Sequence, residues 1–198
     1  MLIVISGPSG VGKTTIIDRM LHHPDMGPEL KFSVSATTRK PRPGEIPDVS
    51  YHYITVQEFE RLVDQDAFIE WAHVHGNMYG TPVSELHAAR EQGRELLLEI
   101  DVQGAAALRE KFPDALMIFL KVSGEMLRKR LLGRPSALSS AELEKEIELR
   151  MNNAKEELEQ AGHYDHIVEN RDLDVTVDKI ISIIKEERTR RAQGGAEK

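Results

Sequence analysis

The most chemically pointed stretch of this chain is Gly7-Pro8-Ser9-Gly10-Val11-Gly12-Lys13-Thr14, which meets G-x-x-x-x-G-K-[ST] at every fixed position. Glycines there let successive backbone N–H groups turn inward around phosphate oxygens, and a helix opening at Lys13 adds the positive end of its dipole. Lys13 would reach the outer phosphates of ATP, and the Thr14 hydroxyl would help hold Mg2+. An apolar strand read at Leu2 to Ser6 and a helix read at Lys13 to Leu21 supply the flanks this motif needs, which makes a chance glycine turn a poor explanation.

A second anion site is expected at Ala36 to Glu45, ATTRKPRPGE, a basic loop in a protein of formal net charge -7. Arginine's planar fork can bond two phosphate oxygens at once. Arg39 and Arg42, on a loop stiffened by Pro41 and Pro43, could therefore converge on one phosphate, with Tyr51 and Tyr79 adding hydroxyl donors. A docking peptide and a solvated loop are the alternatives; the phosphate loop upstream favours the clamp.

Glu70, in FIEW, suits a base that offers two donors on one edge. Guanine does so through N1–H and its 2-amino group, whereas adenine would present a lone pair to the carboxylate. The hydroxyls of Ser35 and Thr81 could donate to guanine O6. Spacing alone leaves Glu70 equally readable as an exposed strand-edge acid.

The elements that would carry these residues alternate between apolar strands and helices, which predicts an α/β fold: a three-layer α/β/α P-loop architecture with a parallel core sheet. Strands are expected at Lys31 to Ala36, Tyr51 to Thr55, Phe68 to His75, Glu95 to Asp101, Ala115 to Val122 and His163 to Glu169. Helices are expected at Val56 to Asp64, from a Thr81 N-cap to about Gln92, and at Gln103 to Lys111, Glu125 to Leu132, Ala141 to Gln160 and Val175 to Arg190. Residues 1–31, 84–124 and 158–198 form the core in this reading. Residues 32–83 and 125–157 fit the alternation poorly and are insertions on that core, with 192–198 a disordered tail.

Composition narrows the classes. The 198 residues are 40% hydrophobic and 30% charged, ordinary for a globular chain. No run is long enough to span a membrane. MLIVIS lacks a basic leader and a cleavage site, so a cytoplasmic location is expected. The absence of cysteine excludes disulfides and thiolate sites. The acidic balance argues against nucleic-acid binding, and no obligate protein partner is implied. The eight histidines show no metal-ligand spacing.

GPSGVGKTT, SVSATTRKPRPGE, FIEW, GNMYGT, LEIDVQG and KRLLGR, in this order, resemble the guanylate kinase family over nearly the whole chain to His163–Asn170. That resemblance implies an ATP-dependent kinase of nucleotide metabolism that converts GMP, and by extension dGMP, to GDP by direct in-line transfer with Mg2+. It puts Ser35, Glu70 and Thr81 on guanine-binding positions, and Arg39, Arg42, Tyr51 and Tyr79 on the GMP phosphate. Glu99 and Asp101 fall near the base, Asp101 also near the metal. Gly7 to Thr15, Arg130 and Asn170 fall on ATP-binding positions. Arg134 and Arg150, beside Lys13, are the lid and catalytic cations, Arg134 sharing a helix face with Arg130. Three features depart from the family pattern: Pro135 after Arg134, a longer lid at Pro135 to Ala141, and Ser50 before Tyr51. A kinase with another acceptor and a non-catalytic binding module are the rivals; the intact Lys13 and Thr14 argue against the second.

Overall fold

The computed structural model describes residues 1–74, 76–133 and 139–194. Along the chain, β1 (Leu2–Ser6) leads through the glycine-rich loop into α1 (Lys13–Leu21), and β2 (Leu30–Phe32), β3 (Ala36–Thr37) and β4 (His52–Tyr53) follow. Next comes α2 (Val56–Asp64), capped by the Thr55 hydroxyl on the Glu58 N–H. Then come β5 (Phe68–Val74), β6 (Asn77–Pro82), α3 (Val83–Glu91), β7 (Glu95–Glu99) and α4 (Val102–Lys111). The remaining elements are β8 (Leu116–Lys121), α5 (Gly124–Leu132), α6 (Ser140–Glu159), β9 (His166–Glu169) and α7 (Leu173–Gly194). No helix among the described residues is long and apolar enough to cross a membrane.

Two compact units divide the chain: Met1–Val4 with Pro24–Ala115, and Ile5–His23 with Leu116–Lys198. The strand β1 contributes to both, and its residues LIVIS are buried throughout, as an apolar run without alternation requires.

In the first unit the strands lie in the order β2-β7-β1, and β2 runs parallel to β7 with Leu30 opposite Glu95. A separate sheet, ordered β4-β3-β6-β5, is antiparallel at β3-β6 and β6-β5. It has its own core of Ala36, Phe59, Phe68 and Met78, with the Phe59 and Phe68 rings stacked 4.6 Å apart. Two of these core residues stand next to a polar strand residue: Ser35 precedes Ala36 and Tyr79 follows Met78. Strand alternation thus turns apolar packing into a fixed polar face.

In the second unit the order is β1-β8-β9, and β8 runs parallel to β9 with Ile118 opposite His166. Leu127, Leu131, Ile147 and Ala154 join α5 to α6 in a small apolar core. A reciprocal capping box, Ser139 with Glu142, starts α6.

Several sequence-based expectations are corrected. The strand expected at Lys31 to Ala36 is two short strands in different sheets. The Ser33 amide still donates to Leu97 O (3.0 Å), and the chain then leaves that sheet to pair with β4 and β6. The NMYGT of GNMYGT, not assigned an element from sequence, lies in β6. Thr81 does not cap α3: it lies in β6, Pro82 is the N-cap, and the Thr81 hydroxyl is spent on Glu70. The strand expected to end at Asp101 ends at Glu99, and Asp101 is the N-cap of α4, so the two acids do not share a strand face. Helix α7 extends to Gly194, three residues into the expected tail; residues 195–198 lie outside the described residues.

Candidate active site

The phosphate loop leaves β1 at Gly7, whose φ of +136° is one that glycine adopts without strain. A Cβ there would stand 2.3 Å from the Leu120 carbonyl oxygen, so β8 and the loop can approach this closely only with glycine. Gly12 is the N-cap of α1, left-handed at φ 101°, and no side chain caps the helix. A helix that starts in this way presents its N-terminal dipole toward an anion.

Behind the loop, the Val11 carbonyl accepts from Asn170 Nδ2 (2.7 Å) and from Arg130 Nη1 (2.7 Å). Asn170 is buried, and its Oδ1 accepts from the Thr176 hydroxyl (3.3 Å). Arg130 also donates to the Asn170 carbonyl (3.2 Å). Both residues thus brace the loop's main chain. Lys13 Nζ donates to the carbonyls of Gly7 (2.5 Å) and Pro8 (3.2 Å). Arg150, on α6, lies 3.5 Å from Ser9 Oγ and is ion-paired to Glu146 one turn earlier. Arg134 lies outside the described residues, and α5 ends at Leu132 with Gly133 as its C-cap. Thr14 and Thr15 stand exposed at the start of α1.

The acceptor residues gather in the other unit. Glu70, on β5 and 3% exposed, faces Thr81 across the β5-β6 ladder. Thr81 Oγ1 donates to Glu70 Oε1 (2.5 Å), and Ser35 Oγ lies 3.5 Å from Thr81 Oγ1. Since the single Thr81 proton is committed to Glu70, Ser35 is the hydroxyl whose proton can turn elsewhere. Burial pushes the Glu70 carboxyl up to about 7, with the Asp101 charge adding to the rise and hydrogen bonds from Thr81 working against it.

Around the basic loop, Arg39 is held from several sides. Nη1 and Nη2 donate to the two Glu45 carboxylate oxygens (2.9 and 2.8 Å), Nε donates to Tyr79 Oη (3.2 Å), and Nη1 also reaches Lys40 O (2.8 Å). Its guanidinium lies 5.4 Å from the Tyr51 ring centroid and 5.9 Å from that of Tyr53. Glu45 further accepts from the Arg42 amide (2.6 Å) and the Tyr53 hydroxyl (2.8 Å). Its pairing with Arg39 holds it down to about 2. Tyr51, edge-on to Tyr79, is pushed up to about 12 by burial, with the Glu99 charge second. The Arg42 side chain is exposed, and Lys40 is exposed beside it. Ser50, the departure from the family pattern, closes the loop: its hydroxyl accepts from the Ile46 amide (3.1 Å).

Sequence reasoning missed Glu45 and Tyr53. Glu45 closes the GE of a proline-rich loop and reads as a solvated acid; its role exists only once the loop folds Arg39 onto it.

A phosphate-cradling loop between strand and helix, with a separate arginine–tyrosine cluster and a buried carboxylate, defines a P-loop phosphotransferase of small substrates. The guanylate kinase family model matches residues 1–187, so the chain belongs to that family. It is 41% identical over 192 residues to the guanylate kinase of Halalkalibacterium halodurans, covering 96% of this chain and 90% of that protein. To the guanylate kinase of Caldanaerobacter subterraneus it is 44% identical over 191 residues, covering 96% and 89%. Among solved structures, the guanylate kinase of Anaplasma phagocytophilum superposes with a TM-score of 0.74 at 30% identity, covering 94% of this chain and 85% of that one.

Proposed function

We propose that the chain divides the work of a guanylate kinase between the two groups of residues above: ATP enters on the phosphate loop and GMP on the arginine–tyrosine cluster. The enzyme phosphorylates GMP with ATP as donor. The observation that carries the guanine assignment is Glu70: a buried carboxylate that accepts from the Thr81 hydroxyl, with the Ser35 hydroxyl 3.5 Å beyond it. Ionised, it can accept from guanine N1–H and the 2-amino group together; adenine has no pair of donors there. Arg39, Arg42, Tyr51 and Tyr79 would hold the GMP phosphate, and Glu99 and Asp101 would stand near the base. Residues 32–83 would serve as the acceptor insertion and 125–157 as the lid.

The attacking oxygen of GMP is already ionised near neutral pH, since a phosphate monoester loses its second proton near 6, and no general base is required. What remains for the protein is in-line placement and positive charge around the moving group. The amides of the phosphate loop, Lys13 and Arg150 supply that charge, with Arg134 proposed to join them. Lys13 must exchange its present carbonyl partners for phosphate oxygens, and Arg150 must loosen from Glu146. Mg2+ takes hard oxygens of the kind that the Thr14 hydroxyl and the Asp101 carboxylate each offer, and a P-loop metal takes its other ligands from phosphates and water. Bound there, Mg2+ would neutralise charge on the outer phosphates. Groups of three or more His, Asp or Glu side chains able to hold a metal by themselves are absent among the described residues.

The test is ADP formation with GMP, dGMP, AMP and UMP as acceptors. GMP, followed by dGMP, should be used far better than AMP; equal or better turnover with AMP would sink the guanine reading.

A further inference from the structure

We infer that Gly104 is a specificity-determining position: its missing side chain is the space into which the guanine-reading carboxylate of Glu70 is set. Gly104 lies in the first turn of α4, which packs against β5. Glycine is the poorest helix former after proline, and here the backbone does not ask for it, since Gly104 is not among the glycines with positive φ. Its reason lies in what surrounds it. A Cβ at this position would meet Glu70 Oε2 at 2.6 Å, Asp101 Oδ1 at 3.3 Å and Glu70 Cδ at 3.4 Å. The first of these is closer than real Cβ atoms come. All three belong to the two carboxyl groups of the acceptor region.

Neither carboxylate can step aside at no cost. Glu70 is tied by Oε1 to Thr81 at 2.5 Å, on a strand locked in register with β6. Asp101 caps the helix through the Gly104 amide (2.9 Å). A methyl group on residue 104 therefore displaces the Glu70 carboxylate along the edge on which it would meet two guanine donors. The predicted loss concerns the 2-amino and N1–H contacts; phosphate binding and ATP are untouched. Gly104 acts through Glu70 and is a positioning residue. The inference rests on the reading of Glu70 as guanine's partner.

The experiment compares Gly104→Ala, Glu70→Ala and the double variant, using GMP and its inosine analogue, which keeps N1–H and O6 but lacks the 2-amino group. In Gly104→Ala, kcat/KM for GMP should fall on the order of 10- to 100-fold, mainly through KM. The loss with the inosine analogue should be smaller, and KM for ATP should stay within about twofold. In the Glu70→Ala background the same substitution should cost nothing further, because the atom it strikes is gone. Should Gly104→Ala fail to fold, the double variant is expected to fold; its failure would overturn the inference. Equal losses for both acceptors, or the same loss with and without Glu70, would assign Gly104 a packing role only. If Glu70→Ala itself leaves GMP use intact, the guanine reading falls and this inference with it. A loss in Glu70→Ala with none in Gly104→Ala overturns the Gly104 assignment alone.

Discussion

In the proposed reading the phosphate loop would meet its ligand mainly with main-chain amides. The side chains of Arg130 and Asn170 behind it are turned to the loop's Val11 carbonyl, 2.7 Å away in each case. The acceptor region does the reverse: its recognition groups are side chains, and carboxylates hold them in place, Glu45 on Arg39 and Glu70 beside Thr81. The difference follows from what is bound. A polyphosphate looks the same from many directions and is satisfied by a ring of N–H groups. A base has an edge with a fixed order of donors and acceptors, and only a side chain at a set depth can read it. The acceptor region is consequently the part that responds to pH and to single atoms.

The largest expected effect is in the phosphate loop. Lys13→Ala should lower kcat on the order of 10³-fold while the far-UV circular dichroism spectrum and Tm stay near wild type. Retained turnover would remove the lysine from the chemistry. Next, Glu70→Gln keeps the shape but can accept from only one guanine donor, and kcat/KM for GMP should drop roughly 10- to 100-fold with KM for ATP unchanged. Parallel changes in both substrates would mean that Glu70 only holds the sheet. Glu45→Gln weakens the grip on Arg39, and KM for GMP should rise about tenfold. A fall in KM would show instead that Glu45 competes with the phosphate for the arginine. The smallest effect is at Asn170→Ala. There the Val11 carbonyl keeps Arg130 as a partner, so a few-fold rise in KM for ATP and a loss of roughly 2–6 °C in Tm are expected from thermal melts.

The two regions also differ in how much of them could be read from sequence. The phosphate loop was legible as a motif because its function sits in consecutive backbone units, and glycine, lysine and threonine must occur at fixed offsets. The helices at Lys13–Leu21 and Val56–Asp64 were legible at their observed bounds, whereas the Thr55 that caps the second reads from sequence as a strand end. The residues proposed for the acceptor could be named one by one, but their arrangement could not. The clash that reserves Gly104 spans from the α4 turn to β5, and no local pattern encodes it. Thr81 looked like a helix cap because Thr-Pro suits a helix start, yet a buried carboxylate competes better for its hydroxyl than exposed amides do. The break at Ser33–Ser35 was invisible for a related reason: alternation shows which face is apolar, not which sheet the strand joins.

Glu70 ties these regions to solution conditions, and its two consequences have opposite signs. Its folded carboxyl titrates near 7, above the ordinary 4.5. The contribution to stability is therefore complete below 4.5 and is lost as pH rises through 7. GMP, in contrast, needs the ionised form. The most direct measurement is KM for GMP between pH 5.5 and 8.5 in wild type and in Glu70→Gln. Wild type should weaken by about tenfold per unit below 7, beyond what the variant shows from the ionisation of the GMP phosphate alone. Parallel profiles for the two proteins would contradict a buried, ionised Glu70 as the group that reads guanine.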